Sequence, residues 1–378
     1  MTKRENEIRT GYYLVGLLHS VLNGTEPERI PEGITVKDLY KMAKKHSVDC
    51  MAYEGVCRIP GIDLGDYQEK WKKLSMMSAM QGAVQLSERG RIYQALTEAG
   101  IRILPLKGSI MKEMYPRQEY RQMSDLDILV DGADPEYVKD LMEAQGYETK
   151  IFGAYHTDSY VKKPWSHVEI HWGMLPDGMK NAKKYRDIWK RTYEEVPGSG
   201  IYRMTWEDFY IFMLEHFAKH FREGGSGIRL VMDMYIFLSQ KKDGLDQAYI
   251  EKRLKKLGLK KFREAMEAIM EEWFVDGNTG KYAGKEETII LSGVYGRKDF
   301  RYSIRTDYLE EKFHSKWFAK FYYVWEMIFL HYDGMRALYP VLNRMPALLP
   351  VFWGYRFFQI LTGRREKIKR LIKNMKKK

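Results

Sequence analysis

The sequence predicts an α+β protein, a small mixed β-sheet core flanked by N-terminal and C-terminal helical regions. Three observations predict it. Apolar residues fall three and four apart between charged ones up to about Gly100, short β-like runs follow as far as about Gly200, and helical spacing then returns. The expected boundaries are 1–85 for an N-terminal helical region, 86–200 for the sheet-bearing core, 201–345 for a C-terminal helical domain and 346–378 for an aromatic and basic amphipathic tail. A chain of 378 residues, 44% of them hydrophobic, is long enough to bury such a core.

In the first region Val36 to Cys57 and Tyr67 to Ala99 carry the helical spacing, with Pro60-Gly61 as the break between them. The core offers strands over Ile101 to Leu106, Leu126 to Val130, Tyr147 to Phe152, Ala154 to Val161 and Val168 to Trp172. Helices are expected between them at Ser109 to Tyr115 and Pro135 to Gln145. After the turn Pro197-Gly198-Ser199-Gly200, helices are predicted over Trp206 to His220, Ile228 to Ser239, Gln247 to Leu257 and Phe262 to Phe274. A polar region around Gly277 to Arg305 separates these from a further helical stretch, Lys312 to His331.

Composition excludes several classes. Cys50 and Cys57 lack a CxxC spacing and a nearby histidine pair, so they read as reduced, buried thiols and not as a disulfide framework or zinc site. The apolar run from Tyr12 to Leu18 is short for a signal peptide, which points to a cytoplasmic protein. The most apolar stretch, Ala347 to Leu361, is interrupted by Pro350 and Arg356 and falls short of the ~20 residues of a membrane span. The net charge of +12 is concentrated at one end: Gly363 to Lys378 holds nine Lys or Arg against Glu366 alone, and the remainder is only mildly basic.

Chemistry concentrates between Leu106 and Val130. Asp125 and Asp127 lie two apart at the start of an apolar β-run, so the strand period turns both carboxylates to one face. Side-by-side acids repel unless a cation sits between them, and hard Mg²⁺ suits carboxylate and phosphate oxygens. Two such ions suit in-line phosphoryl transfer, so two Mg²⁺ are expected, with Mn²⁺ as the alternative. Gly108-Ser109 opens a helix directly after a strand, where backbone N–H groups and the helix dipole favour phosphate. There Lys107 neutralises charge and the Ser109 hydroxyl adds a donor. Glu169 and His171 share a face of a later alternating run, with Glu169 read as third metal ligand or as the base for an attacking hydroxyl. Taken singly, an Asp-x-Asp pair usually lies on a solvated turn and Lys-Gly-Ser is commonly just a loop. The order of the pieces and their element types is what raises the chemical reading.

The stretch Leu106 to Val130 resembles the signature of the DNA polymerase beta-like nucleotidyltransferases, a Gly-Ser helix start followed by an Asp-x-Asp strand. More narrowly, Leu106-Lys107-Gly108, Tyr115-Pro116, Arg121, Asp125-x-Asp127 and Glu169-x-His171-Trp172 resemble a family of poorly characterised bacterial nucleotidyltransferases. The resemblance continues through His216-Phe217-Ala218-Lys219-His220 and Ile228 to Asp233, and so covers roughly residues 35 to 240. It implies Asp125, Asp127 and Glu169 as catalytic and metal-binding carboxylates. The third acid of the wider superfamily is generally Asp, so Glu169, one methylene longer, is open between direct ligand and outer-shell base.

Among the remaining residues, Lys107, Gly108, Ser109, Arg121 and Arg229 form the candidate nucleotide-binding set, Arg229 having a surface salt bridge as its alternative. His216 and His220 share a helix face, with Asp233 expected on the next helix. They read either as a transition-metal site or, with His171, as an active-site wall or buried polar network. In the tail, Ile368, Leu371, Ile372 and Met375 fall on one side of a basic helix. That pattern fits an anionic membrane surface, here the inner membrane face, or a solvated terminal helix, with RNA contact third.

The leading functional expectation is a metal-dependent enzyme that transfers a nucleoside monophosphate from NTP to an unidentified acceptor, a small molecule or saccharide before a nucleic acid, releasing pyrophosphate. The alternative is a non-catalytic nucleotide-binding or membrane-associated regulatory module on the same fold. A nucleic-acid enzyme or toxin-like factor ranks below both, because outside the tail the chain lacks a basic and aromatic stripe.

Overall fold

Thr2 and Thr35 each accept a hydrogen bond from the backbone three residues on, and Glu5 and Asp38 return it. These two capping boxes start α1 (Lys3–Asn23) and α2 (Val36–His46). Ser47 then takes a left-handed conformation, φ 52°, and splits the single helix expected over Val36 to Cys57 into α2 and α3 (Asp49–Cys57). The long α4 (Tyr67–Glu98) leads into the core. This computed structural model describes residues 2–153, 156–176, 179, 181–297, 300–330 and 332–363.

The core runs β1 (Arg102–Pro105), α5 (Lys107–Met114), β2 (Leu126–Asp131), α6 (Pro135–Ala144), β3 (Glu148–Ile151), β4 (Thr157–Lys162) and β5 (Ser166–His171). These are the predicted strands and helices, shifted at their ends by one to three residues. The sheet order is β1-β2-β5-β4-β3, and it is mixed as expected: β2 pairs parallel with β5 while the other neighbours are antiparallel. The turn at Pro197 to Gly200 joins a small hairpin, β6 (Thr192–Glu194) and β7 (Tyr202–Met204).

The C-terminal helices are α7 (Trp206–Gly224), α8 (Ile228–Lys241), α9 (Gln247–Leu257) and α10 (Lys260–Met270), followed by a π turn, Glu271–Val275. Beyond them lie α11 (Ala283–Ser292), α12 (Phe300–Phe313), α13 (Lys316–Ile328), α14 (Tyr332–Leu338) and α15 (Leu349–Gly363). The region around Gly277 to Arg305, expected to be polar connection, thus holds α11 and the start of α12. Pro350 falls in the first turn of α15, where its missing N–H leaves no hydrogen bond unmade, so it does not interrupt that helix. The tail helix expected through Ile368 and Met375 lies outside the described residues. Among the described residues no helix is long and apolar enough to cross a membrane.

Strand alternation sorts the core into two clusters. Leu126, Ile128, Val130, Val168 and Ile170 pack with Leu96 of α4 and Val138 and Met142 of α6. On the other face, Leu104 and Leu129 join a larger cluster reaching from Leu14 of α1 to Ile290 of α11. Gly11 shows how closely those two helices approach: a Cβ there would lie 2.2 Å from the Ile290 side chain. Cys50 is buried as expected. Cys57 is instead exposed, and both thiols are free.

Candidate active site

Asp127 and Glu169 are direct partners across the parallel β2–β5 pair, so their side chains leave the sheet on the same face, next to each other. His171, two residues further along β5, brings its Nε2 to 2.8 Å from Asp127 Oδ1 and 3.8 Å from Glu169 Oε2. Ligand atoms of these three residues all lie within 4.8 Å of one another, a spacing that fits a divalent cation held by two carboxylates and an imidazole. Among the described residues this is the set with that geometry. Asp125, one residue before β2, lines the same cleft and accepts a hydrogen bond from the Ser124 hydroxyl at 2.8 Å, but it stands outside the three-residue cluster.

The charges are strongly coupled. Burial opposes ionisation of Asp127, yet Lys107, whose Nζ is 3.9 Å from Oδ2, together with His171 and Arg121 holds its carboxyl well below the usual range. Glu169 moves the other way: burial, then the negative charges of Asp127 and Asp125, push its carboxyl up. A positive ion at this point would relieve that repulsion.

The start of α5 is fixed beside Asp127, because Leu106 N–H donates to the Asp127 carbonyl at 3.0 Å. No side chain caps the N-terminus of α5. Gly108 lines the cleft, and a Cβ there would lie 2.8 Å from Met123 Sδ and 3.2 Å from Arg121 Nη1, so a larger residue would displace those two side chains. Ser109 is turned away: its hydroxyl donates to the Leu106 carbonyl at 3.0 Å, and the residue is buried outside the cleft lining.

Arg121 was expected to meet nucleotide. Its Nε and Nη2 instead grip both oxygens of Asp233 at 2.9 Å each, and its Nη1 donates to the Gly108 carbonyl at 3.1 Å. Tyr115 adds a hydroxyl to Asp233 Oδ1 at 2.8 Å. All three guanidinium nitrogens are thereby engaged, and Arg121 acts as a brace between the α5 turn and α8. This also removes Asp233 from any shared metal site with His216 and His220.

His216 and His220 lie on one face of α7, as their spacing predicts. Their Nε2 atoms are 2.8 Å apart, and both line the cleft from α7. Burial, then the positive charge of Lys107, keeps both neutral, His216 well below its ordinary value and His220 at about 4. One ring therefore donates to the other. Arg229 of α8 donates to the Gln122 carbonyl at 2.7 Å, while its Nε is buried without a partner at the edge of the cleft.

The cleft they enclose holds about 350 Å³. Lining groups outside the site residues expected from sequence include His156, Lys219 and Tyr295. His156 sits edge-on to His171 with ring centroids 5.6 Å apart, and burial first, then His171, lowers it to about 4. Lys219 follows His216 by three residues, a helical spacing that could have disclosed it. Tyr295 comes from the loop after α11 and left no signal in the sequence.

No curated protein matches the chain. A family model described as uncharacterised nucleotidyltransferase matches residues 32–275, a span that takes in every residue of the cleft but Val294 and Tyr295. A match over well more than half the sequence, centred on paired acids beside an uncapped helix start, establishes that the chain belongs to this nucleotidyltransferase family.

Proposed function

We propose that the cleft transfers a nucleoside monophosphate from NTP to a hydroxyl or phosphate acceptor with release of pyrophosphate, on a polymerase beta-like core. The observation that carries this reading is the in-register placement of Asp127 and Glu169 beside the uncapped start of α5. In the reaction an acceptor oxygen bonds to the α-phosphorus, the bond from that phosphorus to the oxygen bridging to the β-phosphate breaks, and pyrophosphate leaves.

Asp127, Glu169 and His171, with Asp125 beside them, would hold divalent metal, Mg²⁺ or Mn²⁺. Such ions supply charge stabilisation for the attacking and leaving oxygens. Lys107, Lys219 and Arg229 bring positive charge to the cleft for the polyphosphate, and the free N–H groups at Gly108 contact it through the backbone. Glu169, its carboxyl raised by its neighbours, takes the proton of the attacking hydroxyl when it is not itself a ligand. Arg121 contributes by holding the Gly108 carbonyl. The cleft volume falls in the range of small-ligand sites and favours a small-molecule or saccharide acceptor over a polymer strand.

Incubating the full chain with each labelled NTP and Mg²⁺ or Mn²⁺ should give metal-dependent binding and pyrophosphate release. Asp125→Ala combined with Asp127→Ala should abolish both. Unchanged binding by that double variant would reject the mechanism.

A further inference from the structure

On α13, Trp317, Phe321 and Trp325 recur every fourth residue and so share one helix face. They are 73%, 49% and 48% exposed, while Ala319 marks the buried side of the same helix. Ring centroids step 5.7 Å from Trp317 to Phe321, 6.3 Å to Trp325, 4.2 Å to Phe329 and 5.7 Å to Trp353 of α15. The aromatic ladder thus ends against Trp353 of α15, and on the side of α15 away from Trp353, Val351, Tyr355 and Phe358 are 64%, 51% and 63% exposed. A contiguous row of exposed aromatic rings like that on α13 marks an interface.

Charge selects its occupant. The sequence directly after α15, from Gly363 to Lys378, carries nine Lys or Arg against Glu366 alone. A second copy docking through this face would bring like charge against like charge, whereas an anionic surface is attracted to it. The residue types agree: Trp and Tyr pair an apolar ring with a polar N–H or O–H and suit the boundary between headgroup and acyl chain. Exposed Lys316 at the start of α13 sets a charge beside Trp317, with a stem long enough to reach headgroups. No described helix can span a bilayer, so contact is with its surface.

We propose that the exposed aromatic face of α13 docks on an anionic lipid bilayer, Trp317, Phe321 and Trp325 entering the headgroup boundary while the basic segment after α15 supplies the attraction. The full chain should cosediment with phosphatidylglycerol-containing vesicles at about 0.1 M salt, where surface charges still attract within the Debye length. It should stay in solution with pure phosphatidylcholine, and its tryptophan emission should shift to the blue only on the anionic vesicles. Combining Trp317→Ser, Phe321→Ser and Trp325→Ser should weaken partitioning at least ten-fold and leave NTP binding unchanged. Should that variant not fold, Trp317→Ser alone, at the most exposed of the three sites, should weaken it several-fold. The proposal is overturned if the parent ignores anionic vesicles, or if the variants partition like the parent, which would assign adsorption to the basic segment alone. It is equally overturned if the parent is a dimer that the same substitutions dissociate.

Discussion

His46 packs behind the Gly227 to Arg229 segment of the cleft and ties the molecule's stability to acid. Its ring is fully buried, its Nδ1 accepts the N–H of Ile228 at 3.1 Å, and its Nε2 donates to the Ile290 carbonyl at 3.0 Å. A proton added to Nδ1 would face that N–H, and burial, then the charge of Lys45, lowers the ring to about 3 from the ordinary 6.5. Because the folded value lies below the unfolded one, the stability due to neutral His46 is complete above about pH 6.5 and is lost as pH falls towards 3. One proton taken up on unfolding steepens stability by about 1.4 kcal/mol per pH unit across that window. Urea melts at pH 7 and pH 5 should therefore show a smaller difference for His46→Gln than for the parent. His156, His216 and His220 titrate in both proteins, so the comparison isolates His46, and equal differences would show that its ring contributes nothing.

At the scale of elements, Arg121 and Asp233 join the sheet-bearing core to α8. Removing one partner leaves a buried charge unpaired, so Asp233→Ala should cost about 3–5 kcal/mol. That loss should appear as a lowered denaturant midpoint, together with weaker NTP binding as the Gly108 turn loosens. A midpoint unchanged within about 0.5 kcal/mol would contradict the bracing role. This pair also shows where reading from sequence stops. Asp125 lies one residue before β2, whereas Asp127, Glu169 and His171 were legible because a period of two fixes which residues share a strand face. The parallel alignment of Asp127 with Glu169 was not, since strand order is decided by how the helices cover the sheet. Arg121 entered the candidate nucleotide-binding set as part of the family pattern, and the partner that holds it lies 112 residues away. The helices α11 and α12 escaped notice because Gly277, Gly280, Gly293 and Gly296 flank them and give the stretch the texture of a loop.

At the scale of the whole molecule, the span matched by the family stops short of what holds the fold together. Leu14, Val15, Leu17 and Leu18 of α1 and Ile289 and Ile290 of α11 belong to the larger core cluster, and all lie outside residues 32–275. A fragment of residues 32–275 should lose cooperative thermal unfolding by circular dichroism, whereas the full chain should keep it. A sharp melt of the fragment near the parental midpoint would show that the flanking helices are dispensable. The brace at Arg121 has a consequence for selectivity. Since a single guanidinium clasps both the Gly108 turn and the helix that carries Asp233, the aperture between them cannot widen without rupturing a buried ion pair. Discrimination among substrates then falls to side chains inside a gauge of set width, and changing one of them should alter which molecule is admitted more readily than how far the gap opens.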